Sequence, residues 1–110
     1  MAIDQQNHSM SAGETKTFTC TNTNKATGAL IDFTSATITW ILKSDSTTIV
    51  TKTVGSGITV TASGVFTITL ATGDTTGCSG EYRHECKATL QDGTVAVLFQ
   101  GIIFIEPLLV

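Results

Sequence analysis

Beyond residue 15 the chain repeatedly alternates apolar and polar side chains at every second position, in short runs broken by glycine. A period of two sends successive side chains to opposite sides of an extended backbone, so each run reads as a half-buried β-strand. Residues 15–23 set Phe18 and Cys20 against threonines, and in the next run Ala36, Ile38, Trp40 and Leu42 share one face with Thr37 and Thr39 opposite. A weaker strand over 48–54 leads through Gly55-Ser56-Gly57 to a short one over 58–61. Ala62-Ser63-Gly64 has the chemistry of a hairpin turn into 65–71, whose inward set is Phe66, Ile68 and Leu70. Between 72 and 80 the composition turns to Gly, Asp, Ser and Thr, which predicts a crossover with one helical turn capped by Asp74. Run 81–90 is the cleanest, with Tyr82, His84, Cys86, Ala88 and Leu90 on one face and Glu81, Arg83, Glu85 and Lys87 on the other. Gln91-Asp92-Gly93 turns it into the last run, 94–106, where Gly101 predicts a bulge.

About seven short strands and no amphipathic helix predict an all-β fold, an immunoglobulin-like antiparallel sandwich of two sheets. A small barrel is the open alternative. At 110 residues the chain is expected to form one domain over 1–110, with an N-terminal arm at 1–12 and an apolar tail at 107–110. It is long enough to bury a core without metal or disulfide.

Charged residues are 14 % of the chain, against about 25 % in an average soluble domain. Threonine fills the deficit at about a fifth of all positions. It is a strand former that tolerates water on one face. The net charge is −3 with no basic cluster, so neither nucleic acid nor an anionic membrane surface is an expected partner. No apolar run approaches the roughly 20 residues of a membrane helix, and the first twelve residues lack the pattern of a secretory signal. Synthesis in the cytoplasm without export is therefore expected. Three cysteines leave at least one unpaired within the chain, which suits a reducing compartment.

The order of the breaks is itself informative. Gly13-Glu14-Thr15 precedes the first run, Leu30-Ile31-Asp32-Phe33-Thr34-Ser35-Ala36 enters the second, and Gly57-Ile58-Thr59-Val60 and Gly64-Val65-Phe66-Thr67-Ile68-Thr69-Leu70 occupy the middle. Gly80-Glu81-Tyr82-Arg83-His84-Glu85, Asp92-Gly93-Thr94 and Gly101 follow. Taken together, over residues 13–106, these resemble the small immunoglobulin-like proteins of tailed bacteriophages, similar in plan to the N-terminal domain of baseplate upper proteins. The resemblance implies a non-catalytic virion component on a baseplate, a fibre attachment point, a tail or the outside of a capsid. Its implied partners are other virion proteins and copies of itself. It carries over no catalytic or ligand-binding residue. In baseplate upper proteins the domain heads a longer chain, whereas this sequence carries it by itself, so the point of attachment stays open.

The sharpest cluster is Cys20, Trp40, Tyr82 and Cys86, expected in the core together with Phe66. A cysteine, a tryptophan and a second cysteine on successive inward faces resemble the pin of immunoglobulin domains, although Tyr82 lies four residues before Cys86 instead of two. Buried thiols are the default reading, with a Cys20–Cys86 disulfide as the alternative. Tyr82 is expected to bond its hydroxyl to the nearby crossover. His84 and Cys86 face the same way, and Cys20 or Cys78 would have to complete a zinc site, but no Cys-x-x-Cys pair supports one. The same residues make a poor nucleophile and base, because inward positions admit no substrate. Asp32, Asp45, Asp74 and Asp92 are scattered over turns and fit capping better than calcium. No cofactor, metal or catalytic residue is therefore expected.

Two features lean towards a partner. Ile102, Ile103, Phe104 and Ile105 are apolar on both faces, and beyond Pro107 lie Leu108, Leu109 and Val110. Ile102, Phe104, Leu108, Leu109 and Val110 are accordingly the expected intersubunit contact. A tail that folds back on its own sandwich is the alternative. The rival function is a host-surface or carbohydrate-binding module of the adhesin kind, which would need exposed aromatics where this chain offers one Trp and one Tyr, both predicted inward. A pilus subunit completed by strand exchange is a third reading.

Overall fold

In the computed structural model the protein is described over residues 4–5, 7–23, 28–33 and 35–107, residues 4 and 5 by backbone alone. The described residues form nine strands: β1 (Asp4–Gln5), β2 (His8–Ser11), β3 (Lys16–Thr21), β4 (Thr37–Ser44), β5 (Thr47–Val54), β6 (Gly57–Ala62), β7 (Val65–Leu70), β8 (Gly80–Thr89) and β9 (Val95–Glu106). One turn of helix, α1 (Thr72–Thr75), lies between β7 and β8. The fold is all-β. Hydrogen-bonded neighbours run β1-β9-β8-β4-β5-β6-β7-β3, with β2 also on β9, a path nearly closed into a barrel.

The long pairings are antiparallel: β3 on β7, β4 on β5 and on β8, β6 on β7, and β8 on β9. The link between β5 and β6 is of another kind, a parallel contact confined to Thr53↔Gly57 and Val54↔Ile58. The chain doubles back over Gly55 and Ser56, with Thr53 N–H and Ser56 N–H each bonded to the other residue's carbonyl at 3.1 and 2.8 Å. Gly57 sits at φ +101° under the aliphatic stem of Lys52, where an added Cβ would overlap that stem. This corner divides the path into a β9-β8-β4-β5 stretch and a β6-β7-β3 stretch.

Sequence and structure agree most closely where alternation is strict. Phe18, Ile38, Trp40, Phe66, Ile68, Leu70, Cys86 and Ala88 share one buried cluster, and Tyr82 packs half-buried at its margin. Phe33 joins edge-to-face on Phe66, with ring centroids 5.4 Å apart. In the β6–β7 turn Gly64 takes φ +73°, and its carbonyl accepts the Asn22 backbone N–H at 2.8 Å, so the approach of two backbones requires glycine. Asp74 stands at the third helical position of α1, not at its cap. From there its carboxylate accepts the Ala71 N–H at 2.7 Å, satisfying a helix-end donor from inside the turn.

The structure adds detail to one expectation and corrects another. The arm at 1–12 contains β1 and β2, which pair in parallel with β9 (Asp4↔Phe99 and His8↔Ile103) and bury Met10. Polar residues conceal such an edge strand because only one side chain in it needs to be apolar. Gly101 lies in regular register opposite His84, and the irregularity falls instead between Cys86 and Lys87, where Leu98 is the extra residue of β9. An extra residue shifts the alternation by one, so Leu98 and Phe99 are buried consecutively. The apolar run beyond it then resolves: Ile103 and Ile105 point inward, while Ile102 and Phe104 point out.

Candidate functional site

The reactive side chains converge on the inner face of β8. Register places Trp40 of β4 beside Cys86, and the Trp40 indole N–H donates to His84 Nδ1 at 3.0 Å. A nitrogen that accepts cannot carry the proton, so this bond specifies the neutral imidazole protonated at Nε2. The His84 ring is buried, 5.6 Å from Phe99, 5.7 Å from His8 and 6.0 Å from Trp40 between centroids. His8 in turn packs on Phe18 at 4.6 Å. Burial, reinforced by the charge of Lys16, lowers the pKa of His8.

Cys20, Cys78 and Cys86 are buried free thiols. Burial pushes the Cys20 thiol up to about 11. Cys86 is raised further, by burial first and then by the neighbouring charges of Cys20 and Glu85. A nucleophile or metal ligand must be a thiolate, and these two are held as thiols at neutral pH. Among the described residues no group of three His, Cys, Asp or Glu side chains is placed to hold a metal ion. The cluster behaves chemically as packing. Tyr82, at its rim, accepts the Ser79 N–H on its hydroxyl at 3.0 Å, tying β8 to the crossover as its sequence position predicts.

The outer face of the same strands is different in kind. Glu81, Arg83, Glu85 and Lys87 project from β8, flanked on β9 by Phe104, Ile102, Gln100, Val97 and Val95 and on β4 by Lys43, Ile41 and Thr39. Phe104 is 47 % exposed and Val95 64 %. A shallow cleft of about 360 Å³ lies here, between Ile41, Lys43, Arg83, Glu85, Gln100 and Ile102. Lys87 and Glu85 form the one ion pair of this face among the described residues, at 3.5 Å.

Of the expected contact residues, Ile102 is half-buried and Phe104 exposed on this outer face, while Leu108, Leu109 and Val110 lie outside the described residues. Sequence reasoning passed over His8, which carries no local signal, and Val95 and Val97, whose outward direction depends on the bulge at Leu98. No protein-family model matches the chain, and no curated protein matches it in sequence. No described helix is long and apolar enough to cross a membrane.

Proposed function

We propose that the protein is a non-catalytic structural module of a tailed-bacteriophage particle, folded as an immunoglobulin-like sandwich that presents a sheet face to its partners. The observation that carries this reading is the division of β8. Every chemically capable side chain on its inner face is consumed by packing or internal hydrogen bonds, and its outer face presents apolar and charged groups to solvent. That is the arrangement of a surface that docks, not of a cleft that reacts.

The sandwich reading is supported by the strand order and by the β5–β6 corner, where one tight parallel contact passes the chain from the β9-β8-β4-β5 stretch to the β6-β7-β3 stretch. The joint burial of Cys20 on β3, Trp40 on β4 and Cys86 on β8, with the thiols free, supports a comparison with the pin of immunoglobulin domains. The phage context is supported by the ordered series of turn motifs over 13–106, and it places the chain in the virion after synthesis in the host cytoplasm. The partners in this reading are capsid, tail or baseplate proteins and further copies of the chain, with no nucleic acid, membrane or cofactor.

The deciding experiment is mass spectrometry and electron microscopy of purified phage particles that encode the chain. The reading expects it at a fixed copy number, at one place on the particle. Its absence from particles, together with binding of the isolated protein to host surface glycans, would replace this reading with that of an adhesin-like module.

A further inference from the structure

Along the outer face of β8 the charges alternate in sign: Glu81, Arg83, Glu85, Lys87. Only one arrangement of two such stripes face to face is complementary throughout. Aligned in the same direction, each charge meets its own kind. Turned end for end about the row of His84, Glu81 meets Lys87 and Arg83 meets Glu85, and a two-fold axis repeats each pairing. The neighbouring strand obeys the same axis. Gly101 of β9 lies opposite His84, so the turn that superposes the β8 stripes brings Phe104, beside Glu81, over Val97, beside Lys87. Ile102, beside Arg83, comes over Gln100, beside Glu85. The charges of β8 and the Phe104–Val97 pair of β9 are thus matched by one symmetry operation, although they lie on different strands and are offset by a bulge, while Ile102 meets the polar Gln100 and Lys43 of β4 meets Ile41.

From this match we infer that the outer face of β4, β8 and β9 binds a second copy of the chain in an antiparallel, face-to-face homodimer whose two-fold axis runs along the His84–Gly101 row. On β4, β8 and the turn after β4 the charges of this face, Lys43, Arg83 and Lys87 against Asp45, Glu81 and Glu85, cancel, and Glu106 at the end of β9 leaves one negative charge per copy at the rim of the contact. With β5 included the face measures roughly 20 by 30 Å from ordinary strand spacing and rise, of the order of the ~800 Å² that each partner buries in a standard interface. The exposed side chains of Phe104 and Val97 supply the apolar contact. The inference goes beyond the virion reading and does not require it.

The test is sedimentation velocity of the full chain at a concentration on the order of 100 µM, at low and high salt. The wild type is expected to sediment as a dimer that weakens with salt. Arg83→Glu sets carboxylate against carboxylate twice per dimer, and Glu85→Arg sets cation against cation twice. Each is expected to raise the dissociation constant by on the order of tenfold or more. Mixing the two single variants restores opposite charges at both contacts, so a heterodimer forms from chains that do not pair with themselves. The double exchange Arg83→Glu/Glu85→Arg recovers the homodimer. Circular dichroism verifies that each variant is folded, and Phe104→Ser weakens the dimer without altering any charge. A monomeric wild type, a dimer indifferent to either reversal, or a mixture without heterodimer would overturn the inference. A monomer in solution would leave the particle experiment above to decide the virion reading separately.

Discussion

One strand, β8, presents two faces that differ in almost every physical respect. Inward, His84, Cys86 and Ala88 are buried, and His84 is bonded to Trp40. Outward, Glu81, Arg83 and Lys87 are exposed, with Glu85 half-buried. A strand allots alternate residues to environments of very different polarity, and the chemistry available to each residue follows from that allotment. The inner histidine and cysteine have the composition of a catalytic or metal site and the surroundings of a core. The outer charges have no reactive composition and face solvent.

If the inner face is architecture, removing it must cost stability on the scale of core mutations. Trp40→Ala is expected to destabilise the fold by about 3–5 kcal/mol, because it deletes a fully buried side chain and leaves His84 Nδ1 without its donor. Thermal or denaturant unfolding measures it, and a loss below 1 kcal/mol would mean that Trp40 is not a core residue. Gly64→Ala is expected to cost about 1–3 kcal/mol, since the backbone there is left-handed and the new Cβ would lie 2.8 Å from the Asn22 carbonyl oxygen.

Acid should sharpen the contrast. The folded chain holds a proton on His8 less tightly than the unfolded chain does, so unfolding takes up protons below the ordinary value of 6.5. Stability is therefore full above that pH and is lost as the pH falls from it through the lowered value, and His8→Gln should flatten that decline. Asp74 acts in a lower window. Burial alone would raise its carboxyl, but the hydrogen bond from Lys52, the Ala71 N–H and the charge of Lys52 together lower it. Its contribution is present above the ordinary carboxylate value of 3.8 and is lost as the pH falls through the depressed one. Asp74→Asn should leave the His8 decline intact and reduce only the later one.

The thiols offer a comparison without mutation. Cys20 and Cys86 should resist a thiol-directed disulfide reagent at pH 8 until denaturant is added, since burial suppresses both access and ionisation. Rapid labelling of the native protein would break the architectural reading of the inner face. Least affected is the outer face, where Arg83→Glu should change the stability of the isolated fold by no more than about 0.5 kcal/mol. Its effect belongs to association.

Where alternation was strict, the residues by themselves determined the burial of Phe18, Trp40, Phe66 and Cys86, the turns at Gly64 and Asp92-Gly93, and the tie from Tyr82 to the crossover. A period of two and the backbone demands of a turn are local properties, and local properties are written in the order of residues. Only the tertiary structure decided that residues 8–11 form a strand, because what holds them is the open edge of β9, more than ninety positions away. The same holds for the bulge at Leu98. Gly101 carries the local signature of an irregularity, but the one-residue shift occurs where β9 must turn both Leu98 and Phe99 into the core while staying paired with β8. The symmetry of the outer face was concealed for a related reason. Glu81 to Lys87 alternate visibly along the chain, but whether Phe104 and Val97 flank opposite ends of that stripe depends on cross-strand register, which comes into being only when β8 and β9 pair.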